Sequence, residues 1–400
     1  MQPFALFPSM GEYPVYDDAV YDGLAAGDAR WRAYADALAV AAPGRVVLDV
    51  GTGRDALWAL VAARAGARHV YAIEASPAFA AAAQAAVHAA GLSRQITVLP
   101  GFAADQILPV RAEVCVSEVI GNIASAEGAI PILNDCRSRL CTPDCVWIPF
   151  RARTMIAAVD VGEPELAPEC RPLVDRVLAA RAALFGVSGP GGPQGTGAPA
   201  GEGAPAGEGA LLGEGALLGE GALLGEGALL GEGAPRGEGA PPSVGVTLGS
   251  AAPLGSGALV DSAGLQGGSA LEGLRLCLGG PAWAALVSRP AVVESDVFDS
   301  RRPPPMSEIS ADVELPLSGG TASGLLLWSR VAVAASGREV DTLESDTRAW
   351  APVYVPVPFA GGRVTFTRRT SDDGVHPDYE LAVDGALVWR SPHHVSRWTG

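Results

Sequence analysis

The 400-residue chain contains no lysine, so all 28 of its basic residues are arginine. That absence excludes a phosphate loop of the Walker type and Schiff-base chemistry, both of which need a lysine amine. Cysteine is sparse. Its six positions, Cys115, Cys136, Cys141, Cys145, Cys170 and Cys277, offer no second ligand pair to match Cys141 and Cys145. No zinc or other metal site is expected, and the cysteines read as reduced thiols. Long apolar runs are missing too: no stretch reaches membrane-spanning length without glycine, proline or charge, and "MQPFALFPSM" has no basic region ahead of an apolar core. A soluble, cytoplasmic protein without a membrane partner is the expectation. Positive charge is in deficit overall, with a net charge of −16 and a pI near 4.7. Such a balance disfavours a nucleic-acid partner bound by phosphate neutralisation.

Half of that acidic excess lies in one segment. Residues 187–273 carry nine acids against Arg236, within a run of glycine, alanine, proline and leucine. Seven hexapeptides fill 201–242, and four of them are identical "GEGALL" copies. A left-handed β-helix uses hexapeptides, but each coil takes three, so four copies could not bury a core. Two glycines in six oppose a helix. The segment reads as a disordered low-complexity insertion.

The chain as a whole has 48% apolar residues, and the remainder has length enough for two cores. Residues 46–150 alternate short β-like runs ("VVLDV", "HVYAIE", "ITVLP", "EVCVSE") with alanine-rich helical ones. This predicts βαβ units in a doubly wound, mostly parallel Rossmann-like sheet. Residues 1–45 read as an N-terminal helical segment. Residues 149–161 and most of 306–390 alternate at the two-residue period of antiparallel strands, a helix is expected over 165–186, and 151–186 with 274–400 is expected to form one β-barrel-like domain.

"VLDVGTG" places Gly51 and Gly53 at the end of the first strand, where a tight turn and close ligand approach favour residues without a Cβ. Twenty-one residues past Gly53, Glu74 ends the second strand, in position to accept hydrogen bonds from both hydroxyls of a ribose. Asp55 stands at the helix entrance. It would repel a pyrophosphate, and is expected instead to cap the helix through its side chain. S-adenosylmethionine, with its sulfonium, ammonium and single carboxylate, suits these acids better than a dinucleotide does. Arg30, on the preceding helix, is the candidate cation for its carboxylate. Further on, "SEVIGNIASAEG" holds Glu118 and Glu127 nine residues apart with no other charge between them. Two carboxylates at a strand end require a cation.

In order and spacing, "VLDVGTG", "AIEAS", "GFAADQILP", "SEVIGNIASAEG" and "RLCTPDCVWIP" resemble the motifs of protein arginine methyltransferases. The helix "GDARWRAYADAL", with Arg30 four residues before Tyr34, resembles their N-terminal segment, and 283–355 is more loosely similar. The resemblance implies a Rossmann-like domain that binds S-adenosylmethionine, followed by a β-barrel-like substrate domain. It implies that Glu118 and Glu127 grip the guanidinium of an arginine in a protein or peptide. It further implies Arg30, Asp49, Gly51, Gly53, Glu74, Asp105 and Glu118 at the cofactor, Tyr16 and Trp350 beside the substrate, and a homodimer as an assembly. Ala349 stands where the family has a histidine, and Asp55 where it has a third glycine. Val119, Asn122, Ile123, Ala124, Ser125 and Ala126 replace bulky side chains, which predicts a roomier pocket. A small-molecule nucleophile, or a binding protein without catalysis, are the alternative functions. Tyr13, His393 and His394 carry no assigned role, and Trp58 and Trp147 read as core.

Overall fold

A computed structural model describes residues 4–8, 29–166, 275–298, 303–337, 339–344, 350–371 and 373–391. The insertion at 187–273, most of the helix expected over 165–186, and Tyr13, Tyr16, Ala349, His393 and His394 lie outside those residues. Among the described residues no helix is long and apolar enough to cross a membrane.

The first two elements among the described residues are a strand, β1 (Ala5–Pro8), and a helix, α1 (Ala29–Ala41). The α/β domain then runs β2 (Val46–Val50), α2 (Leu57–Arg64), β3 (His69–Glu74), α3 (Pro77–Ala89), β4 (Ile96–Pro100), β5 (Ala112–Ser117), α4 (Ala129–Arg139) and β6 (Cys141–Ile148). Its five strands are parallel, in the order β4-β3-β2-β5-β6. Continuous apolar strands such as "VVLDV" are what a sheet covered on both faces requires, and all five residues of β2 are buried. Helix α3 starts where its sequence says it should: Ser76 caps it by accepting from the Phe79 amide at 3.4 Å, and Pro77 follows at the first helical position. Helix α1 buries Arg30, Tyr34, Leu38 and Ala41, a stripe at helical spacing. A buried arginine in that stripe requires an acid opposite.

The second domain is antiparallel except for the β1–β8 pair. β7 (Arg151–Val159), β8 (Glu165–Leu166), β9 (Leu276–Gly279), β10 (Ala291–Val297), β11 (Ile309–Leu315), β12 (Ala322–Ala332), β13 (Val340–Asp341), β14 (Val353–Phe359), β15 (Gly362–Thr370), β16 (Pro377–Val383) and β17 (Ala386–Ser391) form two sheets. One runs β10-β7-β12-β14-β9-β1-β8 with β13 on β12, and the other β11-β15-β16-β17. Residues from both, among them Ile156, Leu325, Phe366 and Leu381, share one core. The domain is therefore β-barrel-like, as its two-residue period predicts.

Two local expectations change. Residues 5–8 do not extend the helical segment: they are β1, paired with β9 and β8 in the barrel sheet. "ALFP" is too short and apolar to form a helix alone, whereas an open strand edge satisfies its backbone. Glu165 and Leu166, placed in a helix by sequence, form β8 beside β1.

Candidate active site

In the parallel sheet β2 and β5 are neighbours, and the chain leaves them toward opposite edges. The crevice beyond their carboxyl ends is the topological switch point, where open α/β sheets hold ligands. The glycine turn follows β2 and the two-glutamate loop follows β5. Gly51 has φ +75° and Gly53 φ +69°, the left-handed region that glycine enters without strain. A Cβ on Gly51 would lie 3.1 Å from Val119 Cγ1, so the turn packs directly on the residue after Glu118.

Arg30 and Trp58 both hold Glu118. Arg30 Nη1 forms an ion pair with Oε1, and the Trp58 indole N–H donates to Oε2 at 2.8 Å. Arg30 is 1% exposed, and its guanidinium carbon lies 5.2 Å over the Trp350 ring. Tyr34 stacks on Trp58 with centroids 4.8 Å apart and donates to the Ser117 carbonyl at 3.3 Å. Burial pushes the Tyr34 phenol well above its usual range; the charge of Glu118 adds to the rise, Arg30 opposes it, and Glu127 adds to it. The charges of both carboxylates therefore reach the one hydroxyl.

Glu74 accepts from the Gly53 amide and the Ser76 amide, each at 2.9 Å. A carboxylate has about four lone-pair sites, so two stay open to a diol while the backbone fixes the group's direction. Asp49 is fully buried and accepts from the Thr52 hydroxyl at 2.6 Å. Burial raises its carboxyl to about 7, with Thr52 opposing and Glu74 and Glu118 adding to the rise. Asp49, Glu74 and Glu118 with Arg30 around a glycine turn suit a ligand bearing positive charge, a diol and one carboxylate. They do not suit a pyrophosphate. By this donor set the residues present fit S-adenosylmethionine.

The loop between the two glutamates is not the lining of an enlarged pocket. Asn122, Ile123, Ala124, Ser125 and Ala126 are all buried, and Ile123 and Ala126 belong to the barrel core. Asn122 donates to the Ala351 carbonyl and to Cys277 Sγ at 3.3 Å, while Ser329 donates to the Gly121 carbonyl at 2.7 Å. The small side chains allow the barrel to approach the loop. Gly128, at φ +78°, precedes α4, and a Cβ there would lie 2.6 Å from Val375 Cγ1.

Among the other sequence-derived candidates, Trp350 packs against Arg30 and so stands near Glu118. Asp105 is exposed, in a single 3₁₀ turn (Ala103–Asp105) after β4. Arg139 steadies that turn by donating to the carbonyls of Ala103 at 2.8 Å and Gln106 at 2.9 Å. Asp55 does not cap α2. It pairs with Arg54 at 3.2 Å, and Ala56, left-handed at φ 48°, occupies the cap position without a side-chain bond. A salt bridge to its own neighbour draws the Asp55 carboxylate away from the helix. Trp58, read from sequence as core, also orients Glu118; a tryptophan three residues past the Asp55 position was the available signal. Among the described residues no three His, Cys, Asp or Glu side chains group to hold a metal ion.

No protein-family model matches the chain. The chain is 37% identical over 131 residues to "Protein arginine N-methyltransferase PRMT10" of Oryza sativa subsp. japonica, covering 31% of this chain and 32% of the relative. It is 38% identical over 117 residues to "Arginine N(omega)-methyltransferase" of Streptomyces achromogenes subsp. streptozoticus, covering 28% and 31%. The chain thus matches about a third of the length of these curated relatives. Among solved structures, protein arginine methyltransferase 10 of Arabidopsis thaliana superposes with a TM-score of 0.55 at 19% identity, over 90% of both chains. The Trypanosoma brucei PRMT1 enzyme-prozyme heterotetramer with AdoHcy superposes with a TM-score of 0.53 at 17% identity, over 89% of both. The chain therefore has the two-domain fold of the protein arginine methyltransferases, and over about a third of its length a sequence similar to theirs.

Proposed function

We propose that the chain is an S-adenosylmethionine-dependent arginine N-methyltransferase. The observation that carries this reading is Glu118, fixed by Arg30 and Trp58 at the end of β5, beside a glycine turn lined by Glu74 and Asp49. The named activities of the curated relatives support it.

In this reading the backbone of Gly51 and Gly53 admits the cofactor, and Glu74 accepts from its ribose hydroxyls. Asp49 faces its positive charge, Asp105 stands on the adenine side, and Arg30 shares itself between Glu118 and the cofactor carboxylate. When bound, the cofactor supplies an electrophilic methyl group on a sulfonium. Glu118 and Glu127 accept paired, charge-assisted hydrogen bonds from the acceptor guanidinium and aim one nitrogen at that carbon. Methyl transfer to that nitrogen would exchange the cofactor's S–C bond for the new N–C bond and leave a neutral thioether, and a carboxylate of the pair would take the proton the nitrogen sheds. Alignment supplies much of the rate in such an in-line displacement, and proton removal adds on the order of 10²–10⁴. Trp350, and Tyr16 from outside the described residues, are assigned to the substrate side.

The acceptor is an arginine in a protein or peptide, or free arginine. The second form is kept because one relative is named for arginine without the word protein. The test is labelled methyl transfer from S-adenosylmethionine to a single-arginine peptide and to L-arginine, with calorimetric binding of the cofactor alongside. Arg30→Ala and Glu74→Ala should lose cofactor binding. Cofactor binding unchanged in both would refute the assigned site, and no transfer to either acceptor would refute the reaction.

A further inference from the structure

The barrel contains a buried acid that no step above uses. Glu294, on β10, is 2% exposed. Its Oε1 accepts from the Ser125 hydroxyl at 2.6 Å and forms an ion pair with Arg368 Nη1; its Oε2 accepts from the Thr154 hydroxyl at 2.6 Å. Thr154 in turn accepts from the Ala124 amide at 3.0 Å. The one proton of Ser125 goes to Glu294, so Tyr379, 2.7 Å away, donates its own hydroxyl proton into Ser125 Oγ. Arg368 also binds Asp296 at 3.0 Å and the Pro305 carbonyl at 3.1 Å. Arg275 lies over the Tyr379 ring at 5.2 Å.

Three barrel strands, β7, β10 and β16, thus converge through side chains on two consecutive loop residues, Ala124 and Ser125. Glu127 follows two positions later. Glu118, at the other end of the loop, is fixed from the α/β side by Arg30 and Trp58. Glu118 is thus anchored from the α/β domain, while the loop two residues ahead of Glu127 is tied to the barrel. Resting on the guanidinium-clamp reading, we propose that Glu294 is a positioning residue that acts through Ser125 to set Glu127 against Glu118. A shift of about 1 Å in such a group can cost on the order of a hundredfold in rate.

Ser125→Ala is the informative variant, because it cuts the tether while Glu294 keeps Thr154 and Arg368 as partners. Tyr379→Phe removes a single hydroxyl from the same node and serves as the second variant should the first fold poorly. For each, kcat with a single-arginine peptide should fall about tenfold or more while the Kd for S-adenosylmethionine stays within about twofold. Amide exchange over residues 121–128, followed by mass spectrometry, should quicken about tenfold, which needs no acceptor to observe. Unchanged exchange in both variants, or kcat at the parental level where Glu127→Gln has lost it, overturns the proposal alone. A parental enzyme that methylates neither peptide nor free arginine overturns the clamp reading, and the positioning role with it.

Discussion

Replacing Asp49 with asparagine should flatten the dependence of stability on pH. Asp49, next to last in β2, has no exposed surface, and burial, opposed by Thr52 and the Ala59 backbone and reinforced by Glu74 and Glu118, lifts its carboxyl from 3.8 to about 7. Between those two values the folded protein holds a proton that the unfolded chain has released. The folded state binds more protons there, so stability falls as pH rises through the window and is lowest above the folded pKa. A rise of about three units, at about 1.4 kcal/mol each, amounts to about 4 kcal/mol across the whole window. About 2–3 kcal/mol of that falls between pH 5 and 8. Asparagine does not titrate, and it keeps an oxygen to accept from the Thr52 hydroxyl. Urea unfolding of the cofactor-free protein at both pH values should show the parent losing that much more stability than Asp49→Asn. Adding S-adenosylmethionine, which brings positive charge to the crevice, should narrow the difference. Parallel pH profiles for parent and variant would show that Asp49 is ionised throughout, and the electrostatic account of the crevice would be wrong.

Three further outcomes follow from the geometry. Trp58→Phe keeps the stack on Tyr34 but removes the indole bond to Glu118, worth about 1.5–3 kcal/mol for a charged acceptor. Its kcat/KM for methyl transfer should drop roughly tenfold to a hundredfold, and parental kinetics would mean that Arg30 alone suffices. Gly128→Ala should lower thermal stability by about 1–3 kcal/mol, through a left-handed backbone and an added carbon 2.6 Å from Val375. Val375→Ala in the same chain should recover the steric part, and a melting temperature equal to the parent's in the single variant would contradict the close packing. Glu74→Gln keeps one acceptor oxygen but loses charge, so calorimetry should read cofactor affinity about tenfold or more weaker, and an unaltered Kd would remove Glu74 from the ribose site.

The alternation of strands and helices in the α/β domain was legible because "VVLDV", "HVYAIE" and "ITVLP" carry largely apolar runs, and because Gly51, Gly53 and Glu74 keep a spacing set by one βαβ unit. Those signals are local. The roles of Asn122 and Ser125 were not legible, since small polar residues in a loop read as space. Their partners lie far along the chain: Ser125 meets Glu294 169 residues later and Tyr379 254 residues later. Trp58 shows the same limit. Its indole ring is core and its N–H is part of the site, and only the fold brings Glu118 to it from 60 residues away. Asp55 failed as a cap because Arg54, its immediate neighbour, competes for the carboxylate. Strand β1 could not be read from four residues whose pairing partners begin at Glu165 and Leu276.

The central claim is that two carboxylates, nine residues apart in sequence, form one clamp for a guanidinium. It is tested most directly by single-turnover transfer from labelled S-adenosylmethionine to a single-arginine peptide, comparing the parent with Glu118→Gln and Glu127→Gln. The parent should place the label on a guanidino nitrogen. Each variant should bind the cofactor but transfer it slower by on the order of 10²–10⁴. Transfer at the parental rate in either variant, or label on any group other than the guanidino nitrogen, would contradict the account.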